Sequence, residues 1–232
     1  MFQSTNSTKK GSTMNNTVRC INKRSDKQLQ ILLLIMFLII GSFFIKPYVT
    51  SGNSASRYAA IESIVESRTQ AIDNSSFIGD ASTYTIEGDN KPIMRRNSNI
   101  GINGTNDKIF VQNHFYTDKT INSVLIGVPI YGLLNILGIT FTATPGLAVW
   151  LLKFFLGLVP GAIALIFAYK IANEFNLKKH AKLLFSLVYG FCTFIFAYST
   201  DFNNHLITAF FITIAVYLLL VIKRKNTEKN WL

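Results

Sequence analysis

The chain has 232 residues, 49% of them hydrophobic, and a mean hydropathy of +0.30. This composition excludes an ordinary soluble domain, because the apolar runs reach the roughly 17–25 residues that a membrane-crossing helix needs. The net charge is +11. Lys and Arg gather at the ends of the apolar runs, which excludes a nucleic-acid partner and is typical of membrane topology. Cys20 lies in a polar tail and Cys192 in an apolar run, so no disulfide framework is indicated, and Cys20 is open to lipidation or stays a free thiol.

Residues 1–28 are rich in Ser, Thr and Asn and carry six cations against Asp26. They predict a disordered, basic cytoplasmic tail. The run from Gln28 to Ile45 predicts the first transmembrane helix, assigned to residues 29–46. A secretory signal peptide is the alternative. The run is long for a signal sequence and the following SGNSASR is a weak cleavage site, so an uncleaved anchor is favoured, with the loop after it outside.

The long polar interruption after the first span holds most of the acidic residues. Between Asn53 and Gln70, apolar residues recur at helical spacing, which predicts an amphipathic helix on the membrane surface. From Lys108 to Thr117, two short apolar runs flank a polar centre and predict a hairpin. Residues 47–138 are therefore expected to form a large external loop with interfacial helices, and a loop of this length usually carries function.

The segment Ile121–Gly138 is only marginally long enough to span, whereas clear spans follow at about Leu147–Ala172, Ala181–Ser199 and His205–Ile222. If Ile121–Gly138 crosses the membrane, the later lysine clusters fall outside. If it stays in the interface, they are cytoplasmic, as the positive-inside rule requires. The prediction is an all-α integral protein of the cell membrane with about four transmembrane helices. Residues 147–222 form a three-helix bundle, residues 223–232 a second basic tail, and both termini are cytoplasmic.

Two features interrupt the second span. Lys153 lies near its external end, where it is expected to snorkel to the outer surface or, alternatively, to bind a lipid phosphate; a central lysine costs roughly 2.5–3.5 kcal/mol. Pro160-Gly161 predicts a kink.

The external side combines carboxylates, a few cations and one His at a membrane–water boundary. No phosphate-binding loop, zinc spacing or Ser/His/Asp signature is present. The remaining set suits an anionic lipid headgroup, because Arg or Lys binds phosphate and a carboxylate accepts a proton from an attacking hydroxyl.

The order of a membrane anchor, NSASRYAAIESIVES, Ile72-Asp73, NDKIFVQNHFYTDK and Pro129-Ile130-Tyr131 resembles one family. This family comprises polytopic glycosyltransferases that use polyprenyl-phosphate sugars, among them protein mannosyltransferases and the aminoarabinose transferases that modify lipid A. The resemblance covers roughly Ile31 to Ile222 and the amino-terminal part of such enzymes. It implies surface helices in the first external loop and an active site that faces outside.

The resemblance also implies roles for individual residues. Lys119 matches the lysine that binds the lipid phosphate, although Thr120-Ile121 stands where relatives often have proline. Relatives carry an acid pair where this chain has Asn53-Ser54-Ala55-Ser56, and His205 falls at about the position of a second acid. The expected catalytic carboxylate is therefore Asp118, Asp73 or Asp107. The expected substrate-binding residues are Arg57, Lys119, His205 and Asn53.

Three of these residues have a simpler alternative role. In that alternative, Arg57 would anchor lipid headgroups, His205 would cap its helix without a partner, and Asp118 would pair with Lys119 or cap the next helix.

The expected function is transfer of a sugar from a polyprenyl-phosphate donor to an external acceptor, by a membrane glycosyltransferase or its amino-terminal part. The partners are the polyprenyl-phosphate sugar, membrane lipids and, in one version, another membrane subunit. The cofactor is open, with a divalent metal as one option. The alternative is a non-catalytic membrane subunit that binds lipid-linked substrate or scaffolds an enzyme. A small transporter is a weaker third option, because neither an inverted repeat nor a mid-bilayer charge is visible.

Overall fold

The computed structural model describes residues 7–78, 105 and 107–229, and it is mostly helical. Its helices are α1 (Ser7–Phe44), α2 (Gly52–Glu62), α3 (Ile121–Ile136), α4 (Pro145–Lys153), α5 (Val159–Glu174), α6 (Lys179–Phe191), α7 (Phe194–Ser199) and α8 (Asn204–Lys229). Single π-helical turns follow α2 at Ser63–Ser67 and α4 at Phe154–Leu158. Two short strands, β1 (Lys108–Val111) and β2 (His114–Thr117), pair antiparallel.

Three helices in the described residues are long and apolar enough to cross a membrane: Ser25–Phe44, Pro145–Glu174 and Asn204–Thr227. They correspond to the first, second and fourth predicted spans. The Pro145–Glu174 helix is the central one, since 56% of its most apolar stretch is buried inside the protein, against 17% and 11% for the other two. Residues 7–28, which were predicted as a disordered tail, belong to α1.

The predicted kink in the second span takes the form of the π-helical turn Phe154–Leu158, which ends just before Pro160. A proline lacks the N–H that a regular helix needs, and a π turn is one way to accommodate the interruption. The glycines near it permit close packing against α7. A Cβ added at Gly157 would lie 2.5 Å from the Ser199 carbonyl oxygen, and one at Gly161 would lie 2.1 Å from Ser199 Oγ.

The predicted span Ala181–Ser199 is formed by two helices, because the chain breaks at Cys192-Thr193 between α6 and α7. The Thr193 side chain caps α7 by accepting a hydrogen bond from the N–H of Ile195. Threonine is a favoured residue for this role, and its cap competes with continuation of the preceding helix. A single long helix is therefore absent from this stretch of the described chain.

Ion pairs define the two ends of the bundle. At the tail end, Lys182 at the start of α6 binds Asp26 of α1 at 2.7 Å, and Arg224 of α8 binds Glu174 at 2.8 Å. At the loop end, Lys153 meets Asp201, which lies between α7 and α8. Consequently α1, α4–α5, α6–α7 and α8 each run from one end of the bundle to the other.

The elements of the long loop all sit at the loop end. The predicted hairpin is confirmed, and its turn residues Gln112 and Asn113 have φ values of 49° and 66°. A left-handed pair of this kind matches the twist of the strands it joins. Helix α3 also stays at this end, since Thr120 at its start contacts Asn204, and Gly146 after it lies beside Pro47.

Helix α2 differs from its prediction. The expected amphipathic surface helix is shorter, and the side chains of Ser54 to Glu62 are all buried. Polar residues on it have partners inside the protein. Glu62 accepts hydrogen bonds from both hydroxyls of Ser75 and Ser76 and from the Ser76 N–H. Burial raises the pKa of Glu62, and these hydrogen bonds oppose the rise. Helix α2 is therefore buried in the protein on both its apolar and its polar face, whereas the prediction had its polar face exposed.

Candidate functional site

Six charged residues converge at the loop end, where α2, the hairpin and the α7–α8 connection meet. This charge cluster consists of Arg57, Asp107, Asp118, Lys119, Lys153 and Asp201. Four of its members were predicted as site residues from the sequence, and Lys153 was predicted as a surface or lipid-binding lysine. Asp201 was not singled out.

Lys119 stands between two carboxylates. Its Nζ lies 3.0 Å from Asp118 and 3.3 Å from Asp107. The backbone around it is fixed as well, because its N–H donates to Thr117 Oγ1, which in turn is hydrogen-bonded to Ser56. Asp118 pairs with Lys119, as one reading of the sequence predicted; the cap position of α3 belongs to Thr120. The side chain of Lys119 is 17% exposed, so a ligand at the charge cluster can reach it.

Arg57 lies on the inner side of the cluster and is largely buried. Its Nε donates to Asn204 Oδ1, and Nη1 donates to the carbonyl of Asn53, both at 3.0 Å. Burial lowers the pKa of Arg57, and the negative charges of Asp201, Asp118 and Asp107 oppose that shift. An arginine keeps its charge under any such shift. The structure therefore holds a fixed cation next to Asn204, on the inner side of the charge cluster.

Lys153 does not snorkel to the outer surface as predicted. Its side chain is 1% exposed, its Nζ lies 3.1 Å from Asp201, and it donates to the Tyr48 carbonyl at 2.9 Å. Asp201 and the Tyr48 carbonyl give the ammonium its partners within the protein, so the side chain does not extend to the surface. Asp201 also accepts hydrogen bonds from Thr50 and from Ser54. An intramembrane lysine calls for a partner, but this rule does not say which carboxylate the partner is.

The charge cluster is formally balanced, with three cations and three carboxylates. An incoming anion would therefore have to take the place of a carboxylate at one of the cations. Lys119 is the accessible one, so binding of a phosphate there would release Asp118 or Asp107 from its ion pair. A released, ionised Asp is a weak base at neutral pH.

Two cavities flank the segment Lys119-Thr120. One, of about 370 Å³, opens between α3 and α8 and is lined by both polar and apolar side chains. It is lined by Thr120, Asn122, Ser123, Ile126, Asn204, Ile207, Thr208 and Phe211. The other, of about 360 Å³, lies between α2, the hairpin and the start of α3. It is lined by Ala60, Ile64, Gln70, Tyr116, Thr117, Lys119 and Ile121.

The remaining predicted site residues have other surroundings. Asp73 accepts hydrogen bonds from His114 Nδ1 and from the Phe115 N–H, both at 2.8 Å, so it anchors the start of β2. Asp118 follows the far end of that strand, about 13 Å away at the usual rise of a strand. His205 is exposed and stacks on Tyr198, with ring centroids 5.2 Å apart. Asn53 contributes its carbonyl to Arg57. Catalytic or binding roles for Asp73 and His205 stay predictions.

Within the part of the chain that the structure describes, no group of three or more His, Cys, Asp or Glu residues is arranged to hold a metal ion. The carboxylates of the charge cluster each face a lysine instead. No protein-family model, curated protein or solved structure matches this chain.

Proposed function

We propose that this chain is a four-span protein of the cell membrane whose loop end faces outside and binds a prenyl-phosphate sugar for glycosyl transfer. The chain would be a glycosyltransferase of the polyprenyl-phosphate type or the amino-terminal part of one. The observation that carries the proposal is the position of Lys119, an accessible cation held between two carboxylates and flanked by two cavities. A phosphate linked on one side to a lipid and on the other to a sugar suits this arrangement.

The distribution of charge supports the topology. Lys178, Lys179 and Lys182 lie around the start of α6, and Lys223 to Lys225 lie near the end of α8, both at the tail end of the bundle. With α6–α7 crossing as a broken helix and α3 confined to the loop end, all these cations fall on one side. That side is the cytoplasm under the positive-inside rule.

Cysteine labelling tests this topology. In a background with Cys20 and Cys192 changed to Ser, we expect N135C to react with a membrane-impermeant maleimide in intact cells. K178C should react only after permeabilisation, because Lys178 lies beyond the opposite end of the bundle. Labelling of K178C but not N135C in intact cells would contradict the proposed orientation, and labelling of neither before permeabilisation would contradict an external loop.

The chemistry of the two cavities supports a position for the proposed donor. The cavity between α3 and α8 is lined in part by Ile126, Ile207 and Phe211, of which Ile126 and Phe211 are exposed, and this open apolar surface suits an isoprenoid chain. Thr120 and Asn204, which also line it, adjoin Arg57 and Lys119. A prenyl phosphate that enters here brings its phosphate to those two cations, and charge-assisted hydrogen bonds of this type are strong.

The proposed reaction needs one base and one leaving group. The acceptor oxygen attacks the anomeric carbon, its proton passes to a carboxylate of the charge cluster, and the bond from the anomeric carbon to the phosphate oxygen breaks. The electrons of that bond go to the prenyl phosphate, whose added negative charge Lys119 and Arg57 stabilise. All atoms and charges are accounted for without a further reactant.

Binding of a short prenyl phosphate tests the site. We expect K119A to weaken the affinity of the purified protein for farnesyl phosphate by about 10- to 100-fold, because a charge-assisted hydrogen bond is lost. The matched control is K46A, an exposed lysine near the same end, which should change the affinity less than about twofold. Isothermal titration in detergent measures both. Equal affinities of wild type and K119A, with an unchanged melting temperature, would contradict the proposed site.

A non-catalytic lipid-binding subunit is the second candidate, and one observation favours it. Ser54 stands in the segment where relatives carry an acid, and its hydroxyl donates to Asp201 at 3.1 Å. The position is thus occupied by a neutral, buried side chain. Donor binding at wild-type strength without transfer of labelled sugar to any acceptor would support this candidate over the enzyme.

A further inference from the structure

The three cations of the charge cluster are not neutralised to the same degree. Lys119 has a carboxylate oxygen at 3.0 Å and Lys153 has one at 3.1 Å. Arg57 forms no ion pair with a carboxylate in the part of the chain that the structure describes, and the acids of the cluster attract it only at longer range. Because burial of an unpaired charge is costly, a largely buried guanidinium without an ionic partner is a candidate for binding an anionic ligand.

Neutral oxygens hold Arg57 in place. Nε donates to Asn204 Oδ1 and Nη1 donates to the Asn53 carbonyl, both at 3.0 Å. The ring of Phe202 lies beside the guanidinium, with its centroid 5.9 Å from Cζ. The remaining nitrogen, Nη2, has no hydrogen-bond partner among the described residues and is not fully buried. It is therefore the nitrogen that a ligand can reach while the rest of the side chain stays fixed.

Asn204 joins Arg57 to the chain segment beside Lys119. Its Oδ1 accepts from Arg57 Nε, and its Nδ2 donates to Thr120 Oγ1 at 2.7 Å. Asn204 is the first residue of α8, so this link also fixes the two cations to the transmembrane bundle. An amide can accept from an arginine and donate to a hydroxyl while it carries no charge. A carboxylate at the same position could accept from both groups, but it would neutralise Arg57.

We infer that Asn204 is a positioning residue that holds Arg57 through a neutral oxygen and thereby leaves the charge of the arginine to the phosphate of the ligand. The inference rests on the proposed function, because it concerns the anion that the charge cluster would bind. At Lys119 a phosphate has to displace a carboxylate, whereas at Arg57 it meets a cation with no carboxylate to displace. The uncharged side chain at position 204 thus sets the preference of the cluster for an anionic ligand.

Asn204→Asp tests this role, because it preserves the size of the side chain and adds a carboxylate to Arg57. We expect N204D to bind farnesyl phosphate about 10- to 100-fold more weakly than the wild type, with an equal or higher melting temperature because an ion pair forms. N203D is the matched control. Asn203 accepts a hydrogen bond from the Leu206 N–H, a capping role that Asp also fills, so the affinity should change less than about threefold. Titration calorimetry and thermal unfolding in detergent measure both properties.

Arg57→Met separates neutralisation of the arginine from a general effect of the added carboxylate. In the R57M background, N204D should weaken binding no more than N203D weakens that of the wild type, because no arginine charge is left to neutralise. Wild-type affinity of N204D, or the same loss with and without Arg57, would overturn the inference while the prenyl-phosphate site stands. A clearly lower melting temperature of N204D would also overturn it, since the ion pair would then not form. Absence of farnesyl phosphate binding by the wild type would instead remove the proposed function itself.

Discussion

Loss of the Lys153 charge is expected to destabilise the protein strongly. In K153M the Asp201 carboxylate loses its ion partner at a site where Lys153 is 1% exposed and Asp201 is 28% exposed. Breaking a buried ion pair costs about 3–5 kcal/mol, and the partial exposure of Asp201 places this one at about 3 kcal/mol. For a chain of this length that corresponds to a fall of roughly 6–12 °C in melting temperature. Tryptophan fluorescence during heating in detergent measures it.

The double variant K153M/D201N identifies the cause. It removes both charges together, and Asn keeps an oxygen for the hydroxyls that Thr50 and Ser54 donate to Asp201. We expect it to recover most of the lost stability, because the cost comes from the unpaired charge and not from the missing methylenes. K170A is the matched control, a lysine on the same long helix that packs over the rings of Phe167 and Tyr217; its loss should be below about 1 kcal/mol. A single variant as stable as the wild type would contradict the role assigned to the ion pair.

The ion pair also shows where local sequence patterns stop being informative. Hydropathy was enough to predict three of the long apolar helices, and two short apolar runs around a polar centre were enough to predict the hairpin, because each signal lies within one short stretch of the sequence. Lys153 could be recognised as unusual from its position alone. Its partner could not be fixed, because Asp201 approaches only after α6 and α7 have returned the chain to the loop end.

The same limit explains the two helices that differ from prediction. The apolar run at residues 181–199 has no proline, so hydropathy alone shows one span, whereas the Thr193 cap divides it. In α2 the alternation of apolar and polar residues predicts a surface helix. The polar face is buried because Glu62 accepts hydrogen bonds from Ser75 and Ser76, and Arg57 donates one to Asn204. Such partners come from distant parts of the chain, and tertiary contacts then outweigh the local pattern.

The charge cluster was accessible from the sequence only in part. Arg57, Lys119, Asp107 and Asp118 were predicted from the family resemblance and from the suitability of cations and carboxylates for phosphate chemistry. Their pairing follows from the hairpin register, which places Lys108 opposite Thr117 and so brings Asp107 to Lys119. Asp73 was predicted beside these acids as a candidate catalytic carboxylate, but its hydrogen bonds to His114 and Phe115 fix it at the other end of β2.

Replacement of Asp118 is expected to have the largest effect on catalysis. Both Asp118 and Asp107 contact Lys119, but they differ in how they are held. Asp107 is tied through its backbone, since its carbonyl accepts from Ser56 and its N–H donates to Thr105. The two side chains are about equally exposed, at 34% for Asp118 and 30% for Asp107, but Asp118 lies in the connection between β2 and α3. When a phosphate occupies Lys119, Asp118 is the carboxylate freer to turn toward an acceptor hydroxyl.

For D118N we therefore expect kcat of sugar transfer to fall by about 10²–10⁴-fold, the usual contribution of a general base, with the donor KM within about threefold of wild type. D107N serves as the matched variant. It removes a partner that orients Lys119 without removing the base, so it should raise the donor KM by about tenfold and lower kcat by less than that. Steady-state transfer from farnesyl phosphoryl mannose to a hydroxyl acceptor, measured over a range of donor concentrations, separates the two patterns. If D107N lost kcat and D118N only raised KM, the two roles would be exchanged. Full activity of both variants would show that neither Asp118 nor Asp107 is the base. Asp201 would then be the remaining carboxylate of the charge cluster, beside Arg57.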